Sequence, residues 1–395
     1  MRRICIREYK ESEPQPFNEL ELEALLGTPA VDLLGSPRKG YWIVRAKQYV
    51  GVVRIGDLEV RVLPKVPVSR LLFLLGYAVD PKGWNELPAD LDVEDDLVAV
   101  VGYAFVTQAE RAIARGVLQG YRVRDESLPM LRGRLREADQ QRRHGTLIPM
   151  EVTFDDFTVD ITENQFLVTA AELLLRFGVP TPLRRRLGRL RSLLADVTRV
   201  SSASTLPPVR FDRLNERYRP AVTLARLILQ GRSLEFGVPT AAGSAFLFDM
   251  NKVFEDFLTA ALGDAFERRG GRVESQHHDQ LDEAGRIHIR PDITWWSGKR
   301  CDAVVDAKYK PLSSDEAPNT DVYQVFAYCT ALDLQVGHLV YPIGEGEHDV
   351  NVIRNVGTEV HVHSVPLDKQ PERLLECVDE IASRIADLSE RKSDR

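Results

Sequence analysis

The sequence predicts an α+β chain of several domains: a β-rich N-terminal domain over 1–68, a mainly helical middle region over 69–240, and a C-terminal α/β domain over 241–395 with a central mixed sheet flanked by helices. Three observations carry that prediction. A length of 395 residues exceeds what one core usually organises. Short alternating runs give way to helical spacing after about residue 68, and beyond about residue 240 helix and strand patterns interleave.

From about Gly40 to Lys65 the apolar residues alternate, and "VVRIGDLEVRVLPK" reads as a hairpin turning at Gly56-Asp57. Helical periodicity then marks 69–78, 93–118, 162–178, 181–199 and 212–230, interrupted by turn-rich segments such as "RDESLPMLRGR" and "SSASTLPP". In "FDMNKVFEDFLTAALGDAFERR", Met250, Val253, Phe254, Phe257, Leu258, Leu262 and Phe266 form a broad stripe that Gly270-Gly271 ends. Strands follow at "GRVESQHH", "RIHIRPDITWW" and "CDAVVDAKY", then a helix at "TDVYQVFAYCTAL". "GHLVYP", "VNVIRNV" and "TEVHVHSV" supply further strands, and an amphipathic helix from about Pro371 to Glu390 closes the domain.

Composition narrows the function. A formal charge of -7 argues against a uniformly basic surface but leaves room for a local basic groove. The cysteines Cys5, Cys301, Cys329 and Cys377 are scattered with no CxxC pair, against zinc ribbons, iron-sulfur clusters and a disulfide framework. The N-terminus lacks a signal-peptide core and no apolar run approaches the ~20 residues of a membrane span. A cytoplasmic protein with reduced thiols and no membrane contact is expected. No phosphate-binding loop of the G-x-x-x-x-G-K-[ST] type occurs, so nucleotide hydrolysis by this chain itself is not expected.

The unusual chemistry lies in "CDAVVDAKYK", where a buried strand runs into Asp306 and Lys308 on one face. If Trp296 pairs with Cys301, Asp292 falls opposite Val305, one step from Asp306 and on the wrong face. An irregularity near Pro291, or an odd-length turn, is expected to bring Asp292 and Asp306 together. Two such carboxylates repel, and a divalent cation relieves the repulsion; Mg²⁺, or Mn²⁺ in its place, suits a cradle of carboxylate oxygens open to water and phosphate. Lys308 then binds the scissile phosphate or stabilises the attacking hydroxide. Glu255 borders the buried stripe and is expected to point toward the sheet as a further metal ligand. Gln324 and Tyr328, four residues apart on one helix face, are placed to hold a phosphate or to position Lys308. Ion pairs of this kind also arise for structural reasons, so order matters as much as residue type.

That order, helix-Glu, strand-Asp, D-x-K and Q-x-x-x-Y, resembles the RecB-like branch of the PD-(D/E)xK nuclease superfamily. It implies that 241–395 folds as a PD-(D/E)xK nuclease domain with Asp292, Asp306, Lys308, Glu255, Gln324 and Tyr328 catalytic. Some of these nucleases carry a ligand histidine before the first aspartate; His277 and His278 stand there, although an exposed pair near a strand end is more often incidental. With "LPMLRGRL", "DITENQFLVTAAELLL", "FEDFL", "RPDITWW", "VVDAKYK" and "DVYQVFAYC" in this order, the chain resembles the McrC family over about 70–395. That family comprises the nuclease subunits of McrBC-type modification-dependent, type IV restriction systems. The resemblance implies an Mg²⁺-dependent endonuclease acting on modified foreign double-stranded DNA. Its partner would be an McrB-like AAA+ GTPase hexamer, which the N-terminal part of the chain would contact and stimulate.

Two basic segments remain. "YRVRDESLPMLRGRLREADQQRRHG" and "RRRLGRLRSLLADVTR" are rich in arginine, and Arg184, Arg185 and Arg186 are candidate DNA contacts, with solvated helix faces the equally simple reading. Two further functions fit the residues: a stand-alone RecB-like DNA exonuclease, and a non-cleaving scaffold that regulates the GTPase.

Overall fold

Among the residues that the computed structural model describes (2–81, 97–142, 146–200, 206–230, 243–310, 318–342 and 349–393), β-structure begins at once. Tyr49–Ile55 and Leu58–Leu63 pair through the Gly56-Asp57 turn, where Gly56 takes a φ of 55° that a side chain would disfavour. Arg2–Arg7 adds in parallel to Leu58–Leu63, and Gly243–Asp249 adds antiparallel to Tyr49–Ile55. At Gly51 a Cβ would meet the Phe246 carbonyl oxygen at 1.9 Å, so this close approach of strands requires glycine. Ile4, Ile6, Val53, Val60 and Ala245 form the core beneath.

The chain divides into two compact units, Met1–Leu97 with Ser233–Arg395, and Val98–Arg232. In the first, the predicted 69–78 helix spans Val68–Val79, and the striped helix spans Met250–Arg269. They pack through Phe73 and Tyr77, whose rings lie 5.7 Å from that of Phe257, and Tyr77 donates to Asp264 Oδ2 at 2.8 Å. Beyond them lies a six-stranded mixed sheet in the order Arg272–Ser275, Ile293–Ser297, Arg300–Ala307, Val336–Tyr341, Glu359–Ser364, Asp349–Val352. The parallel pairs are Arg300–Ala307 with Val336–Tyr341, and Val336–Tyr341 with Glu359–Ser364.

Both faces of these strands are covered, which explains their near-continuous apolar runs. The Asn319–Ala331 helix covers one face through Val322, Val325 and Cys329 against Val304, Leu339 and Tyr341. On the other face Phe266 of the Met250–Arg269 helix stacks on Trp295 at 4.7 Å, and the Pro371–Ser393 helix joins that layer through Arg269 and Asp379. No described helix is long and apolar enough to cross a membrane.

The second unit carries helices Leu97–Ile113, Thr162–Leu175, Thr181–Leu193 and Arg219–Gln230. They are shorter than the predicted segments: residues 93–96 lie outside the described set, and Glu216–Tyr218 forms a 3-10 turn before Arg219 starts the last helix, with Pro220 in its first turn. Periodicity did not disclose a three-stranded sheet of Gly120–Leu128, Met150–Thr158 and Arg134–Leu135. Gly120–Leu128 is exposed along most of its length and charged at Arg122, Arg124, Asp125 and Glu126, on both faces, so it lacks the apolar face that strand patterns rest on. The fold class is thus mixed α/β with several sheets. The "TENQ" segment is a structural stitch here, because buried Asn164 donates through Nδ2 to the carbonyls of Leu118 at 2.9 Å and Val159 at 2.7 Å.

Candidate active site

Pairing of Ile293–Ser297 with Arg300–Ala307 decides whether the two aspartates meet. Near the turn the register is the one counted from sequence, with Ser297 opposite Arg300 and Trp296 opposite Cys301. One step on, Trp295 faces Ala303, which leaves Asp302 as a surplus residue, a β-bulge. From there Thr294 faces Val304 and Ile293 faces Val305, so the continued register sets Asp292 against Asp306. The expected irregularity near Pro291, or in an odd-length turn, is therefore corrected. The loop between the paired residues is the even Gly298-Lys299, and Pro291 lies beyond Asp292 as counted from that turn. A kink there cannot alter the pairing that leads to Asp292.

The two carboxylates are held differently. Asp292 Oδ2 accepts from the Ala307 N–H at 2.9 Å, and Asp292 Oδ1 accepts from Gln276 Nε2 at 2.9 Å. Gln276 Nε2 also donates to Glu255 Oε1, which joins the Met250–Arg269 helix to the strand ends as the sequence led us to expect. Asp306 is only 1% exposed, and its Oδ2 forms an ion pair with Lys308 Nζ at 2.6 Å. Lys308 Nζ donates to Gln324 Oε1 at 2.9 Å, and Gln324 Nε2 donates to Tyr328 Oη at 2.5 Å. Tyr328 in turn donates to the Arg290 carbonyl at 3.3 Å, one residue from Pro291.

Electrostatics follow from this crowding. Burial, and then the Asp292 carboxylate, push Asp306 up to about 7. The same two causes, in the same order, raise Glu255. Burial works against the charge on Lys308, yet Asp306 and Asp292 outweigh it and hold the ammonium above its ordinary range. Burial and Asp306 raise Tyr328 to about 12, so at neutral pH it is a neutral donor.

The six predicted catalytic residues thus fall into two runs of contacts, Glu255 to Asp292 through Gln276, and Asp306 to Tyr328 through Lys308 and Gln324, which the strand register sets side by side. His277 does not join them; its Nδ1 lies 2.8 Å from Glu274 Oε2 and its ring 5.0 Å from that of Trp296. Arg186 is tied to Glu110 Oε2 at 2.7 Å and to Thr107 at 3.0 Å within its own unit, while Arg184 and Arg185 are exposed. In the other basic segment Arg122, Arg124, Arg132, Arg136 and Arg142 are likewise paired with acids.

Three supporting groups leave no clear signal in the sequence. The strand pattern of "GRVESQHH" takes in Gln276, whose left-handed φ of 51° instead turns it out of the ladder. Tyr309, next to Lys308, donates to Glu8 Oε1 at 2.8 Å, and Tyr9 donates to the Tyr309 carbonyl at 3.1 Å. No local signal joins residues 300 positions apart. Asp321, at the start of the Asn319–Ala331 helix, accepts from Tyr341 Oη at 2.6 Å and from Lys310 Nζ at 2.8 Å, which locks that helix to the sheet.

The donor set suits a hard divalent cation. Among the described residues no three His, Cys, Asp or Glu side chains form a ready-made cage. Three carboxylates nevertheless converge with one ammonium, and burial first, then the Asp292 charge, raises both Glu255 and Asp306. Carboxylate oxygens in this balance are the ligands that Mg²⁺ and Mn²⁺ prefer.

A sequence profile described as "McrBC 5-methylcytosine restriction system component" matches residues 44–342, well over half of the chain. No curated protein matches. The fold is similar to a chain in the Thermococcus gammatolerans assembly of McrB AAA+ hexamers with bound McrC. That likeness has a TM-score of 0.62 at 17% identity and covers 97% of this chain and 100% of that one. A chain of the Thermococcus gammatolerans McrBC complex is similar at a TM-score of 0.41 and 21% identity, over 67% of this chain and 88% of that one. Because the matched span takes in the strands and helix that carry Asp292, Asp306, Lys308, Gln324 and Tyr328, and the motifs resemble McrC in the same order, the chain belongs to the family of McrBC 5-methylcytosine restriction system components.

Proposed function

We propose that this chain is the McrC-type DNA endonuclease subunit of an McrBC-like restriction complex, that it hydrolyses phosphodiester bonds of modified DNA with Mg²⁺, and that its 241–395 region is a PD-(D/E)xK nuclease domain. The observation that carries the reading is the bulge at Asp302, which sets Asp292 against Asp306 with Lys308 alongside. A structural ion pair needs no such register change.

Asp292, Asp306 and Glu255 would hold Mg²⁺, with Mn²⁺ as a substitute. The bound ion would neutralise charge on a phosphate and acidify water beside it. Lys308, protonated at neutral pH because its acidic neighbours hold its pKa up, serves as a donor to a phosphate oxygen rather than as a proton acceptor. Gln324 fixes the ammonium, and Tyr328 fixes Gln324. Asp306 enters the reaction as a carboxylate, since cation binding favours the ionised form that burial disfavours.

The Thermococcus gammatolerans assembly contains McrB AAA+ hexamers with bound McrC. By that likeness the partner of this chain is an AAA+ GTPase ring, which it activates and which in turn licenses cleavage, in the cytoplasm. Closed circular and linear modified DNA, each with and without the partner and GTP, test the whole reading. Cleavage of circles that requires partner, GTP and Mg²⁺ is expected, and Asp306→Ala should abolish it while GTPase stimulation persists. Degradation of linear DNA alone, without partner, would replace the endonuclease with an exonuclease. Undiminished cleavage by Asp306→Ala would remove the site.

A further inference from the structure

We propose that Gln276 is an exchangeable cation ligand: its carboxamide nitrogen bridges Glu255 and Asp292 when no cation is bound, and its carboxamide oxygen joins those carboxylates in holding the cation. The inference rests on the reading of Glu255, Asp292 and Asp306 as a cation site and adds a residue to it.

Gln276 follows the Arg272–Ser275 strand directly. Its backbone N–H donates to the Asp292 carbonyl at 2.8 Å, and its φ of 51° lies in the left-handed region that non-glycine residues disfavour. Tertiary contacts therefore impose this backbone, and they aim the side chain at the acids. Both amide hydrogens are engaged, one on Glu255 Oε1 and one on Asp292 Oδ1 at 2.9 Å. Because carboxylates only accept, the edge facing them is the NH₂. The amide thus occupies the space between two carboxylate oxygens, which is the space a bridging cation needs.

Rotation about the terminal torsion of glutamine exchanges nitrogen and oxygen at small cost, since that torsion is broad and nearly two-fold. The amide oxygen it presents is a hard donor of the kind that joins carboxylates around divalent cations. One half-turn converts a donor that neutralises repulsion between the acids into an acceptor that the cation requires. Neighbouring His277 has no such part, being held by Glu274 and packed on Trp296.

Calorimetric titration of the full chain with Mn²⁺ tests this without reference to cleavage. Gln276→Ala should weaken Mn²⁺ binding at least tenfold. Gln276→Glu, close to isosteric, should bind Mn²⁺ more tightly than the wild type and melt at a lower temperature in chelator, because a further carboxylate then faces Glu255 and Asp292 unscreened. Wild-type or tighter binding by Gln276→Ala would overturn the proposal, the second result making Gln276 only a competitor for the space. Asp306→Asn separates this from the larger reading. If it loses Mn²⁺ binding while Gln276→Ala keeps it, Gln276 alone is misassigned; if both bind as the wild type does, the carboxylate site itself is wrong.

Discussion

Replacing Asp306 with asparagine should make the cation-free protein more stable at neutral and alkaline pH, and the size of that gain can be worked from the site. Asp306 is 1% exposed, and burial followed by repulsion from Asp292 raises it from 3.8 in the unfolded chain to about 7. A carboxyl group whose native pKa is raised contributes its full stability below the unfolded value and loses it as pH climbs through the native value. Each pH unit between the two costs the wild type about 1.4 kcal/mol, and asparagine, which stays neutral, escapes that loss. From pH 5 to pH 8 the difference between Asp306→Asn and wild type should therefore grow by on the order of 3 kcal/mol, or roughly 6–12 °C in melting temperature for a unit of this size. Thermal scans in chelator at half-unit pH steps provide the assay. Saturating Ca²⁺ should flatten the wild-type profile and leave that of Asp306→Asn nearly unchanged, because a cation stabilises only the protein that binds it. Superimposable pH profiles of the two proteins in chelator would refute the argument, since Asp306 would then not be the buried group that takes up the proton.

Three further expectations concern other elements of the chain. Deletion of Asp302 removes the surplus residue of the bulge and leaves Asp292 opposite Asp306, whereas deletion of Thr294 shifts the partner strand by one and turns Asp292 to the other face. Plasmid cleavage within tenfold of wild type for the first, and a loss of more than a hundredfold for the second, is expected; equal losses would sink the register argument. At Gly337 a Cβ would meet Val325 Cγ1 at 2.3 Å and Cys329 Sγ at 2.6 Å, so Gly337→Ala should cost about 1–3 kcal/mol and displace the helix carrying Gln324. Gly263→Ala, with nothing within 4 Å, should instead gain about 0.5–1 kcal/mol, and urea melts of both check the contrast. Neutralising exposed Arg184 and Arg185 should flatten the salt dependence of DNA binding by up to about two in log-log slope if both touch phosphate. Arg186, paired with Glu110, should affect stability instead, and an unchanged slope in filter binding would take this helix out of the DNA interface.

Residue order and local periodicity made much of this protein legible. The Gly56-Asp57 hairpin, the apolar stripe of Met250–Arg269, the strand into Asp306 and the helix carrying Gln324 and Tyr328 each leave a signal within a dozen residues. Side-chain type and order alone nominate Glu255, Asp292, Asp306, Lys308, Gln324 and Tyr328, although the sequence specifies no contact between them. The exposed Gly120–Leu128 strand escaped notice because strand signals come from burying one face, and this strand buries little. Tertiary structure decided the rest. Register between two strands is a property of the pair: whether Asp292 meets Asp306 turned on one surplus residue, Asp302, that nothing in its own neighbourhood marks. The left-handed turn of Gln276, the reach of Glu8 to Tyr309, and the addition of Gly243–Asp249 beside Tyr49–Ile55 belong to the same kind. Their free energy comes from groups far apart in the chain, and local propensity carries no record of contacts that exist only after the chain has closed on itself.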